Sequence, residues 1–134
     1  MVEKLPVVNA KVIIDRILNH FESLGEQELM AYCYILQSRL YKQRIALVDL
    51  DFRLYGNRPY SHIIPVCLRE LIFAGYIERR QGSLIFRSIR PLEYPRSYKT
   101  LIEKIDRQIK ILKEEIERRE IDPVDYALKL YNQS

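Results

Sequence analysis

The chain is expected to be mainly α with a small β-hairpin, and three observations say so. Apolar residues recur at helical spacing over most of its length. One short region, Tyr76–Arg80 and Leu84–Ile89, alternates instead around Gln81-Gly82, as a hairpin does. Glycine and proline are scarce, at 4 and 6 of 134 residues, so little of the chain is spared for irregular structure. A length of 134 residues with 48% hydrophobic and 30% charged residues suits one domain, 1–134, with its own core. Isoleucine, leucine, arginine and glutamate are frequent, which also fits a thermophile.

Each element has a local reason. Ile13, Ile14, Ile17, Leu18, Phe21 and Leu24 lie on one helical face, with Asn9 as N-cap and Gly25 as stop. A second helix is expected from about Gln27 to Lys42. Leu29, Tyr32, Cys33, Ile35, Leu36 and Leu40 make it apolar over much of its circumference, as for a central buried helix. Residues 45–55 fit either period. Val48, Leu50, Phe52 and Leu54 alternate like a strand, whereas Leu47, Leu50, Asp51 and Leu54 share a helical face. A helix is favoured here, after a brief strand at Arg44–Leu47. Gly56-Asn57-Arg58-Pro59 is a turn. Ser61 caps the next helix, Pro65 sits in its first turn, Ile64, Leu68, Leu71 and Ile72 form its core face, and Gly75 ends it. Pro91 and Pro95 close the hairpin unit.

From Arg96 to about Glu120 the apolar residues Tyr98, Ile102, Ile105, Ile109, Leu112 and Ile116 are spaced four, three, four, three, four. That is a heptad seam with a balanced charged exterior. The seam needs a second helix to cover it: either the chain's own first helix or, the favoured reading, the same helix of a second copy in a homodimer. Asp122 and Pro123 open a last helix whose stripe is Val124, Leu128 and Tyr131.

Net charge is +4, and its placement matters more than its size. Residues 1–37 carry −2, residues 38–60 carry +3, residues 76–100 carry +4, and residues 101–121 balance. The basic excess therefore flands both sides of the short helix that begins at Ser61. Cys33 and Cys67 fall on apolar helical stretches and read as buried thiols of a reducing compartment. With no signal peptide and no apolar run near the ~20 residues that span a membrane, a cytoplasmic protein is expected.

The order of elements, and above all the phrase CLRELIFAGYIERR with Leu68, Leu71, Ala74, Gly75 and Ile77, resembles the winged helix-turn-helix. With its flanking helices the chain is similar to MarR-type or related small archaeal winged-helix regulators. The resemblance implies a winged-helix core at 26–91. It makes 9–25 and 96–132 flanking, N- and C-terminal dimerisation helices, with Ser61–Ala74 as the helix presented to DNA. By that resemblance Ser61, His62, Ile63, Pro65 and Val66 are its exposed early residues. Arg79, Arg80, Arg87, Gln81 and Ser83 form the wing, and Arg53, Arg58 and Tyr60 lie where backbone contacts to double-stranded DNA are made. Base edges are read by hydrogen bonds, yet this helix offers Ser61 and His62 and then mostly apolar atoms. The wing and flanking arginines are therefore expected to supply most of the affinity.

Other chemistries find little support. His20 and His62 are far apart and the cysteines isolated, so no metal spacing appears. Cys67 and His62 would not share a helical face, no glycine-rich phosphate loop exists, and neither an enzyme nor a cofactor is expected. The 10 tyrosines could stack on bases of a single strand, but most fall at core-facing or helical positions, where packing accounts for them. The expected function is a dimeric DNA-binding transcriptional regulator. The alternative is a protein-interaction module in a replication, transcription or viral assembly, docking a partner on Ile63, Pro65 and Val66.

Overall fold

In a computed structural model, which describes residues 8–80 and 82–133, Asn9 starts the first helix. Its side-chain oxygen accepts from the Val12 N–H at 3.1 Å, and α1 runs Ala10–Leu18. Periodicity carried this helix to Leu24, but it stops earlier. Asn19 folds back and its Nδ2 donates to the Asp15 carbonyl at 2.6 Å and to the Asp15 carboxylate at 3.1 Å. Leu24–Gly25 is instead β1, and Gly25 is the N-cap of α2 rather than the end of α1. Helix α2, Glu26–Lys42, is buried on most sides, as its apolar circumference predicted.

Residues 45–55, where a helix was favoured, hold none. Arg44 and Asp51 have φ of 59° and 50°, which no right-handed helix can accommodate. Leu47 makes a parallel bridge with Val8, and the Leu50 N–H donates to the Gln37 side chain at 3.0 Å. Then β2, Arg53–Tyr55, pairs antiparallel with β3, Arg58–Tyr60. Helix α3 follows at Ile63–Phe73, with Ile64, Leu68 and Leu71 buried against the core. Strands β4, Ile77–Arg79, and β5, Ile85–Ser88, form the expected hairpin. β1 pairs with the far side of β5, so the sheet order is β1-β5-β4, with Leu24 and Arg79 both opposite Phe86. The molecule is thus mainly helical with a small antiparallel sheet.

After a single 3-10 turn at Arg96–Tyr98 comes α4, Lys99–Arg119, and then α5, Pro123–Gln133. Asp122 accepts from the Val124 N–H at 2.8 Å and so caps α5 as predicted. The seam on α4 departs from the favoured reading. Ile105, Ile109, Leu112 and Ile116 are buried within one chain, where α4 packs on α1 and α2. Tyr98 and Ile102, at its N-terminal end, are half-buried against the same core. The seam is covered by the chain's own helices, so it leaves no apolar stripe that requires a second copy.

Charged pairs hold this arrangement. Arg16 makes a two-pronged bond to Asp106 at 2.8 and 3.1 Å, joining α1 to α4. Arg39 reaches Glu115 at 2.8 Å and the Tyr126 hydroxyl at 3.2 Å, joining α2 to α4 and α5. Asp15, buried on α1, accepts from the Leu92 N–H at 3.0 Å and from the Tyr94 hydroxyl at 2.6 Å. That ties the segment after the hairpin to the core. Burial, and then the bond to Asp15, pushes the Tyr94 phenol up; burial pushes Tyr32 up to about 12.

A raised folded value means that both phenols stabilise the fold fully below the ordinary tyrosine value of about 10 and lose that contribution as pH rises through their folded values. Circular dichroism should therefore show a loss of stability beginning above about pH 10. Tyr94→Phe removes a hydrogen bond to a buried carboxylate and should cost about 1–3 kcal/mol in urea denaturation at neutral pH. Among the described residues, no helix is long and apolar enough to cross a membrane.

Candidate nucleic-acid interface

Helix α3 turns Ile64, Leu68 and Leu71 inward, so its spacing turns His62, Val66, Arg69 and Phe73 outward. Glu70, beside them, is held by an ion pair with Lys11 of α1. Arg69 is exposed and has no carboxylate partner among the described residues, so it supplies the outward face with its cation. Sequence reasoning missed Arg69 because it looked only at the first turn of the helix. The signal was present: Leu68 and Leu71 point inward, and residue 69 lies about 100° from the first of them.

The expected contacts divide once their surroundings are known. Ser61 is fully buried; its hydroxyl donates to the Leu50 carbonyl and accepts from the Ile63 N–H at 3.2 Å. It holds the loop before α3 and is no DNA contact, because both its hydrogen-bonding capacities are used inside the protein. Nor does the helix begin at Ser61: it starts two residues later. His62 is exposed, Ile63 and Pro65 are half-buried, and Val66 is exposed.

At the hairpin, the Arg79 Nε donates to the Ser83 carbonyl at 2.8 Å, and the Ser83 hydroxyl donates to the Arg80 carbonyl at 3.1 Å. Ser83 thus shapes the tip and has its hydroxyl occupied there. Arg87 faces Glu78 across β4 and β5 and forms an ion pair with it, which cancels its charge. Arg80 is exposed and makes no ion pair among the described residues, and Arg79 keeps its outer nitrogens. Gln81 lies outside the described residues. Among the described residues, the unpaired charge of the β4–β5 hairpin is therefore that of Arg79 and Arg80.

The hairpin β2–β3 carries the remaining expected contacts. Arg53 is exposed and sits 3.5 Å from Asp51. Arg58 is half-buried and has no side-chain partner among the described residues. Tyr60 lies between two other rings, 5.5 Å from Tyr55 and 5.0 Å from His62, centroid to centroid. A groove of about 660 Å³ runs from Leu84 and Ile85 at the start of β5 past Arg58 and Tyr60 to the start of α5. Glu26, Glu28 and Asp122 also line it. Three carboxylates against one arginine make that groove a poor seat for phosphates.

Two apolar side chains are conspicuous on this side of the chain. Phe73, at the end of α3, is 95% exposed, and Leu84, just before β5, is 53% exposed. No family model, no curated protein and no solved structure matches this chain, so its reading rests on this geometry.

Proposed function

We propose that the chain is a winged-helix protein that binds double-stranded DNA, and that its role is transcriptional regulation. The observation that carries the reading is the sheet order β1-β5-β4, with β1 between α1 and α2 and the pair β4–β5 directly after α3. That order supports the winged-helix reading, with the β2–β3 hairpin standing where a tight turn would join α2 to α3. In this reading α3 approaches a major groove with Val66, Arg69 and Phe73, and the wing tip meets the flanking backbone with Arg79 and Arg80. A second copy, where one joins, uses a surface other than the α4 seam.

Val66 and Phe73 favour a second reading, in which the outward face of α3 docks a protein partner. Fluorescence anisotropy of a random-sequence duplex at low ionic strength separates the two. The DNA reading expects binding in the micromolar range or tighter, as for nonspecific association of ~10⁻⁴–10⁻⁶ M at physiological salt strengthened by salt removal. Absence of binding at low salt rejects it and leaves the protein-docking reading.

A further inference from the structure

The hairpin β2–β3 has a feature that duplex binding does not use. Beside it is an open depression of about 460 Å³, lined by Gln27, Tyr55, Gly56, Asn57, Arg58 and Val124. Tyr55 forms one wall and is 64% exposed, although its ring is backed by Tyr60, which His62 holds edge-on. The outer face of this ring is left in water with a second ring behind it. The side chains of Gln27, Asn57 and Arg58 make no hydrogen bond among the described residues. Two carboxamides, a guanidinium and an exposed ring therefore converge on one space with their bonding capacity unused.

We propose that this depression takes an unpaired nucleobase of a single strand. The inference rests on the nucleic-acid reading above and names the form of nucleic acid: a duplex joined to a single-stranded segment. Tyr55 supplies the stacking face. Gln27 and Asn57 can each donate and accept at a base edge, and Arg58 neutralises a phosphate or stacks at the rim. Charge decides between strand forms. The adjoining groove holds Glu26, Glu28 and Asp122, so it disfavours the outward-facing phosphates of a duplex. A single strand can turn a base inward and keep its phosphates outside, towards Arg58.

The test compares three fluorescent probes by anisotropy: a blunt duplex, and the same duplex with a tail of about ten thymidines at its 3′ or its 5′ end. One of the tails is expected to tighten binding about five-fold or more, the effect of one stacked base. Tyr55→Ala should abolish that gain and leave blunt-duplex binding unchanged, while Tyr55→Phe, which keeps the ring, should retain it. Tyr55 is exposed, and an unchanged circular dichroism spectrum verifies that the variant folds. Neither tail tightening binding, or a gain that survives Tyr55→Ala, overturns this inference and leaves duplex binding standing. Failure of all three probes to bind overturns both.

Discussion

Replacing Ile109 by aspartate should unfold the protein rather than release a folded monomer from a dimer. Ile109 is 2% exposed in a single chain, between Ile105 and Leu112, where α4 meets α1 and α2. An aspartate there must leave water among apolar side chains, a change that belongs to the rare class costing more than about 4 kcal/mol. A domain of this size has about 5–15 kcal/mol of total stability, so most or all of it is removed. The milder Ile109→Ala should cost about 2–5 kcal/mol in urea denaturation. The loss should not vary with protein concentration, because the seam is covered within the chain. A loss that shrinks as concentration rises would place the seam between copies instead.

The second large effect concerns how two sets of arginines divide the work on DNA. Among the described residues Arg69 is the cation on the outward face of α3, and an arginine there can grip the O6 and N7 of a guanine. Selection of sites from a random duplex library should therefore yield a preferred sequence with a guanine that Arg69→Ala no longer enriches. Affinity for the selected site should fall by about 1–3 kcal/mol. Arg79 and Arg80 at the wing tip should behave differently, since phosphates carry no sequence. Replacing them should weaken selected and random duplexes alike. If Arg69→Ala leaves the selected sequence unchanged, α3 does not read bases.

The parts of the fold that follow from local chemistry were legible in the residues. Asn9 and Asp122 cap their helices, the α2 circumference announced a central helix, and the hairpin fell where alternation put it. What was not legible depends on distant partners. Residues 45–55 satisfied two periods, and the choice was made by Gln37 bonding Leu50 and by the left-handed turn at Asp51. Leu24 continued the helical stripe, yet pairing with Phe86 drew it into a strand. The heptad on α4 said that the seam would be covered, and its spacing could not say by which helix.

The candidate interface was legible as a region, less so as individual side chains. Charge clustering marked residues 38–60 and 76–100, the stretches that hold the β2–β3 and β4–β5 hairpins. It could not see that Glu78 would neutralise Arg87, or that Ser61 would turn its hydroxyl to the Leu50 carbonyl. Nor did it distinguish Tyr55 from the tyrosines that pack, because exposure of a ring beside a hairpin is a tertiary property.

The proposed grip of Arg79 and Arg80, at the β4–β5 tip, on the backbone of duplex DNA shows itself in the salt dependence of binding. Log affinity for a random duplex should fall linearly with log salt, and Arg79→Ala with Arg80→Ala should make that slope shallower by about 1.8, one counterion contribution for each lost phosphate contact. No duplex binding at low salt, or a slope that the double replacement leaves unchanged, would contradict the account.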